Sequence, residues 1–351
     1  MAGPHTSGGP SARPLHARPG SGPLGLCLLG CGRFATFHAR AARRLRGAVR
    51  IAFASRDPAR AEAYRRRFGG FAAFGSYEAA AADPRVEALL VCTPHHLHEA
   101  HARLAAEHGK SILLEKPMAR TLAEADAILA AARAAGVVLM VGENFHFAPC
   151  FAAASEYVRR GAIGTVRQLI VTPRGYRRPS GWRSRRDEMG GGQLIDGGIH
   201  HLHLMREWAG PVDEVMAWAP PNVFAGIEGE ETVFLLLRFR SGAVGTLANS
   251  TAAPGLPRGQ WAWITGSEGS LGVNHGGRAL WLRGRGGRRF RVFVRDRRGL
   301  AAQLAEFVAS VREGRPPVLP PESARTDLAL VLAAYRSLET GRPAAPDGET
   351  S

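Results

Sequence analysis

With 351 residues, 45% of them hydrophobic, the chain exceeds what one core ordinarily serves, so two domains are expected. No apolar run approaches the roughly 18 residues of a membrane span, and residues 1–23, rich in Gly, Pro, Ser, Ala and Arg, lack the apolar segment of a secretory signal. The net charge of +16 is carried by arginines scattered from Arg33 to Arg342, with Lys110 and Lys116 the only lysines, a pattern that argues against a nucleic-acid partner.

Residues 1–23 are expected to be a disordered extension. From Leu24 to Phe145 short apolar runs alternate with helical patterns, the signature of βαβ units around a parallel sheet. Leu24 to Gly30 reads as a strand, Arg33 to Leu45 as a helix with Phe34, Phe37, Ala41 and Leu45 on one face, and Val49 to Ser55 as a second strand. Asp57-Pro58 then supplies a helix cap followed by proline at the first helical position. Further strands fall at Val86 to Cys92, Ser111 to Leu114 and Val137 to Gly142, with helices between them. The cysteines Cys27, Cys31, Cys92 and Cys150 form no C-x-x-C pair and read as free thiols in a reducing cytoplasm.

Beyond Val166 the rhythm changes to consecutive strand-like segments: Val166 to Thr172, Val212 to Trp218, Thr232 to Phe239, Ala243 to Ser250, Gln260 to Thr265 and Arg289 to Val294. Strands without intervening helices imply an open, mostly antiparallel sheet. One helix interrupts them near Gly192 to Trp208, and two more close the chain at Leu300 to Arg312 and Ala324 to Glu339. The expected organisation is a doubly wound α/β domain over residues 24–145, an α+β domain over residues 146–342 and a short tail over residues 343–351.

The first strand runs into Gly30-x-Gly32-x-x-Ala35 and then a helix. Gly30 permits the tight turn, Gly32 lets a pyrophosphate approach the backbone, and Ala35 lets helix and strand pack closely, while the helix N-terminus offers amides to phosphate oxygens. Placed after an apolar strand inside a βαβ unit, the motif points to a dinucleotide held by Gly30, Cys31, Gly32, Arg33 and Phe34. At the end of the second strand, where an acid would bind the ribose hydroxyl of NAD, the chain has Ser55-Arg56. A hydroxyl followed by a guanidinium suits a 2′-phosphate, so NADP(H) is favoured, with NAD(H) as the alternative.

Three further segments stand out: Thr93-Pro94-His95-His96-Leu97-His98, Glu115-Lys116-Pro117, and GGGQLIDGGIH over residues 190–200. Together with GCGRFA they resemble the glucose–fructose oxidoreductase/inositol dehydrogenase/MocA (Gfo/Idh/MocA) family, over about Leu24 to Arg342. The resemblance implies a dehydrogenase or reductase moving a hydride between nicotinamide and a hydroxyl carbon of a sugar, polyol or cyclitol. It also implies Lys116, Asp196 and His200 as the catalytic trio. Positions 196 and 200 share a helix face, so Asp196 is expected to orient substrate and tune His200. A histidine exchanges protons readily near neutrality, and Lys116 would stabilise negative charge on oxygen.

The resemblance further implies cofactor contacts at Thr93, Pro94, His95, His98, Glu115 and Lys116, and association as a homodimer or homotetramer. Asn144, His146, Tyr176, Trp182 and Arg183 are the candidate substrate contacts. His146 stands where many family members carry arginine, and the basic segment Gly175 to Arg186 suits an anionic sugar or a solvated loop equally. No metal site is expected, because no carboxylate or cysteine is patterned beside the histidine clusters. Two alternatives stay open: non-redox glycoside cleavage with a retained cofactor, and a nucleotide-binding regulator without turnover.

Overall fold

The computed structural model describes residues 15–16, 22–45, 47–254, 260–274 and 276–347; the expected extension over 1–23 therefore lies almost wholly outside the described residues. In chain order the first domain comprises β1 (Leu24–Leu29), α1 (Arg33–Ala42), β2 (Val49–Ala54), α2 (Pro58–Phe68), β3 (Ala72–Phe74), α3 (Tyr77–Ala82), β4 (Ala88–Val91), α4 (His98–Glu107), β5 (Ser111–Glu115), α5 (Leu122–Ala135) and β6 (Leu139–Gly142). The strands order as β3-β2-β1-β4-β5-β6, every pair parallel. Every residue of β1, β4, β5 and β6 is buried, which is why these strands read as continuous apolar runs rather than alternating ones. The helices begin where the sequence supplies caps: the Asp57 side chain accepts from Arg60 N at 3.2 Å, and Thr121 from Glu124 N at 3.2 Å.

The chain continues through α6 (Asn144–Phe147), α7 (Pro149–Arg159), β7 (Val166–Val171), α8 (Arg186–Met189) and α9 (Ile199–Ala209). Then come β8 (Val212–Trp218), β9 (Thr232–Phe239), β10 (Val244–Ser250), β11 (Gln260–Gly266), β12 (Ser270–Asn274), β13 (Ala279–Gly284) and β14 (Gly287–Val292), and finally α10 (Leu300–Glu313) and α11 (Pro321–Thr340). The second sheet runs β14-β13-β12-β11-β7-β10-β9-β8, antiparallel except where β7 meets β10. Along β9 burial alternates: Val233, Leu235, Leu237 and Phe239 point inward, where α7, α9 and α11 pack on the sheet. The other face leaves Ile170, Trp218, Phe234, Leu236 and Val244 between 40% and 53% exposed. Among the described residues no helix is long and apolar enough to cross a membrane.

The division at residue 146 needs one correction. Helix α10 returns to the first domain, where Leu304, Phe307, Val308 and Val311 join the core formed by Leu24, Leu26, Leu28 and Met140. Each such side chain is worth roughly 1.5–3 kcal/mol when fully buried, so the helix belongs energetically to the parallel-sheet domain despite its late position.

Candidate active site

The turn after β1 is built for close approach. Gly30 has φ +96°, and a Cβ there would lie 3.1 Å from Cys92 O and 3.3 Å from Thr93 Cγ2. At Gly32 a Cβ would meet nothing within 4 Å, and Gly32 caps α1 without any side-chain hydrogen bond. The first amides of α1 are thus free of a protein cap and open to an anionic oxygen. Cys31 contributes backbone only, since its buried Sγ faces Ala54 O at 3.8 Å. These features fit a dinucleotide pyrophosphate. At the end of β2, Ser55 Oγ accepts from Asp57 N at 3.1 Å, the Asp57 carboxylate is engaged as the helix cap, and exposed Arg56 lies beside the Tyr77 hydroxyl.

The loop after β4 folds inward. Thr93 Oγ1 meets His101 Nδ1 at 2.9 Å, while Pro94 leads into a short turn over His95–Leu97. His98 is fully buried, its ring nitrogens 2.8 Å from Pro117 O and 3.0 Å from Thr93 O. Glu115 Oε1 lies 2.5 Å from His38 Nε2 on α1. His98 and Glu115, expected among the cofactor contacts, thus have their side chains engaged within the protein. Their side chains are spent on pinning the 93 loop, the 116–117 turn and α1 to one another.

Lys116, at the end of β5, begins a cis peptide with Pro117 and meets Asp196 twice. Its Nζ donates to the Asp196 carbonyl and lies 3.5 Å from Asp196 Oδ1. Arg183 Nε donates to Asp196 Oδ2 at 2.9 Å, and the His95 ring lies 3.7 Å from Oδ1. Burial alone would raise the Asp196 carboxyl, yet the charges of Lys116 and Arg183 and the Arg183 hydrogen bond hold it well below the ordinary carboxylate range. The arithmetic supports that outcome: at an effective dielectric of about 20, a pair 3.5 Å apart attracts by roughly 5 kcal/mol, and a second cation outweighs a desolvation cost of several kcal/mol. Burial pushes the His95 imidazole down, so it stays neutral, with Nδ1 2.9 Å from Met189 O. Trp182 packs edge-on against His95, and the Arg183 guanidinium lies over the Trp182 ring. Two of the expected substrate contacts, Trp182 and Arg183, therefore join this cluster.

The glycines before Asp196 set its position. Gly191 has φ +155°, and a Cβ there would collide with the Tyr335 ring, whose hydroxyl accepts from Gly192 N at 3.0 Å. Residues Leu194–Gly198 then form a π-type turn before α9. Asp196 and His200 are therefore not successive positions of one regular α-helix face. The expectation that Asp196 tunes His200 is corrected: the carboxylate on His200 is Glu143, 2.6 Å and 2.9 Å from Nδ1 through its two oxygens.

The expected site residues included Asn144 and His146 but not Glu143 beside them. Glu143 caps α6, accepting from Phe145 N at 3.1 Å, and the His200 ring stacks on Phe145 with centroids 4.4 Å apart. Burial would raise the Glu143 carboxyl, but the charge and hydrogen bond of His200, with His203 and the Phe145 amide, bring it down to about 2. With Nδ1 occupied, His200 presents the rest of its ring to a cleft of about 1070 Å³ also lined by Phe34, Asn144, Gln193, Asn249 and Trp261. The side chain of Asn144 is fixed there by donating to Arg298 O at 2.6 Å.

Two expected substrate contacts lie elsewhere. His146 points away from this cleft toward Glu207, 3.6 Å distant, and Tyr176 is 60% exposed against Phe224. The expectation of no carboxylate near the second histidine cluster is also corrected. Glu207 follows His203 by one helical turn, and donor atoms of His146, His203 and Glu207 lie within 4.8 Å of one another. Burial lowers the His203 imidazole, but Asp327 at 2.9 Å, with Glu143 and Glu207, raises it to about 9, so the ring is a cation rather than a free ligand.

A glycine turn under an uncapped helix, a lysine at the end of β5, and a carboxylate-held histidine whose partner Glu143 follows the paired end of β6 are the features of a nicotinamide-dependent oxidoreductase. Residues 24–143 match the oxidoreductase family described as an NAD-binding Rossmann fold, and residues 151–272 match the GFO/IDH/MocA C-terminal domain. The chain is 29% identical to the myo-inositol 2-dehydrogenase of Thermotoga maritima over 90% of this chain and 96% of that one. It is 30% identical to the D-apiose dehydrogenase of Paraburkholderia graminis over 90% and 88%. A levoglucosan dehydrogenase in complex with NADH shares the fold, with a TM-score of 0.85, 24% identity and coverage of 92% and 99%. The chain belongs to the Gfo/Idh/MocA family and is a nicotinamide-dependent dehydrogenase or reductase acting on CH–OH groups.

Proposed function

We propose that the protein interconverts a secondary hydroxyl and a ketone on a sugar, polyol or cyclitol, using NADP(H) in preference to NAD(H). The observations that carry this reading are the His200–Glu143 pair at the end of β6 and the Lys116–Asp196 pair at the end of β5, the strand paired with it. The bound nicotinamide would supply the hydride acceptor or donor. Glu143 holds Nδ1 of His200, fixing the ring so that Nε2 takes the hydroxyl proton during oxidation and returns it during reduction. The Lys116 ammonium, oriented by Asp196, stabilises negative charge developing on the substrate oxygen. With its carboxyl held well below the ordinary range, Asp196 pairs with Lys116 and Arg183 and holds both in place. Gly30, Gly32, Arg33 and Phe34 would receive the dinucleotide, and Ser55 with Arg56 its 2′-phosphate.

The test is NADP(H)-linked turnover across a panel of polyols, cyclitols and keto-sugars, repeated with Lys116→Ala. Turnover that survives this substitution unchanged refutes the assigned chemistry. The exposed apolar face of the second sheet supports a homo-oligomer formed through it, and Phe234→Asp is expected to yield monomers in sedimentation velocity. Four free cysteines support a reducing, cytoplasmic setting.

A further inference from the structure

The cleft facing His200 is lopsided in charge. Of its 28 lining residues seven are arginine, and Asp296 is the single carboxylate. Arg44 lies 3.5 Å from Asp296. The other six, Arg40, Arg174, Arg177, Arg278, Arg297 and Arg298, have no acidic partner among the described residues. A chain rich in arginine will expose many, but these arrive from four separate places: α1, the strand extension after β7, the β12–β13 turn and the approach to α10. Like charges gathered on one concavity repel, and burial together with Arg33 and Arg297 lowers the Arg298 guanidinium.

A second observation is independent of the arginines. Asn249 is 1% exposed and lines the cleft, and its amide nitrogen is buried without a hydrogen-bond partner among the described residues. A buried donor without an acceptor is costly, and an acceptor oxygen from a ligand would remove that cost. The neighbouring arginines are held in place by backbone pairing. Gly175 N donates to Ser250 O at 2.9 Å, Arg177 N to Thr251 O at 2.9 Å, and the Thr251 hydroxyl to Arg177 O at 2.8 Å. Arg174 and Arg177 therefore sit on a tied ribbon beside Asn249 rather than on a free loop.

We infer that the substrate carries an oxyanion, a carboxylate or a phosphate, received by Arg174, Arg177 and Arg278 with Asn249 donating to the same ligand. This rests on the dehydrogenase reading above and narrows its substrate class from neutral sugars to sugar acids or sugar phosphates. Guanidinium pairs suit both groups through charge-assisted, two-pronged hydrogen bonds. Arg40, Arg297 and Arg298, which line the same cleft, reinforce the positive potential that draws such a ligand in.

The test is calorimetric titration of the NADPH-saturated enzyme with D-glucuronate, D-glucose 6-phosphate, D-glucose and inorganic phosphate, at low and high salt. At least one sugar anion is expected to bind about tenfold or more tighter than D-glucose, with the gap narrowing at high salt. Glucuronate and glucose 6-phosphate separate the carboxylate from the phosphate form. Arg174→Ala and Arg177→Ala are each expected to weaken the favoured anion by about tenfold while leaving D-glucose and NADPH affinity unchanged. Equal affinity for D-glucose and both sugar anions overturns the inference, as does inorganic phosphate binding as tightly as either sugar anion. So does a loss of NADPH affinity in Arg174→Ala, which would assign the arginines to the dinucleotide. Failure of the unmodified protein to bind either NADPH or NADH would instead break the dehydrogenase reading, and binding of NADH alone would move the same titration to the NADH-saturated enzyme, so the two failures are distinguishable.

Discussion

The two halves of the candidate active site hold their charges in opposite ways. Around Lys116, one carboxylate is shared among an ammonium, a guanidinium and a neutral imidazole, so the group is fixed by mutual compensation. Around His200, one carboxylate grips one imidazole from behind and leaves the ring's far side facing the cleft. The first arrangement is suited to holding a constant field on the substrate oxygen, the second to moving a proton. A shared buried carboxylate resists titration; a single pair can be tuned.

The largest test of that contrast is Lys116→Ala, expected to lower kcat/KM by about a thousandfold with NADPH affinity nearly preserved; a drop confined to KM would show that the ammonium only binds. Next comes the charge beneath the His200 half. The His203 imidazole is raised from 6.5 to about 9 in the folded state, so its stabilisation is complete below pH 6.5 and is lost as pH rises through about 9. The expected loss is on the order of 3 kcal/mol, read by urea denaturation across that range; a flat profile, or an unchanged one in His203→Gln, would sink it. Glu143→Gln keeps the shape of the His200 contact but removes its charge. It is expected to lower kcat by about a hundredfold in steady-state turnover, and an unchanged kcat would show that the carboxylate's charge does not serve His200.

Smaller effects probe the cofactor end. Arg56→Ala is expected to raise KM for NADP about tenfold and leave KM for NAD unchanged; equal effects on both would remove the 2′-phosphate assignment. Asp57→Ala deletes the α2 cap and is expected to cost about 1 kcal/mol of stability in thermal unfolding, without altering the proton-transfer groups.

Legibility in the sequence follows from how local each determinant is. The glycine turn, the Asp57 cap and the buried parallel strands depend on neighbours within a few residues or on a period that composition displays. The alternation in β9 likewise announces a sheet with one covered face. Glu143 was hidden because its partner lies 57 residues away, and because the same side chain also serves the local capping role. The cleft arginines were only half visible: Arg174 and Arg177 fall in or beside a basic segment that stands out, whereas Arg40, Arg278 and Arg298 converge on it through the fold. The π-type turn at Leu194–Gly198 changed the relation of Asp196 to His200, and a four-residue spacing alone carries no trace of such a turn.

The return of α10 into the parallel-sheet core has a consequence for how the molecule can be made and cut. Phe307 and Val311 complete an interior whose first strand begins at Leu24. During synthesis, the nucleotide-binding half therefore stays unsealed until more than three hundred residues have left the ribosome. A fragment ending at the close of β6 would present a bare hydrophobic groove where a helix should lie, and it would aggregate rather than fold as a free-standing module.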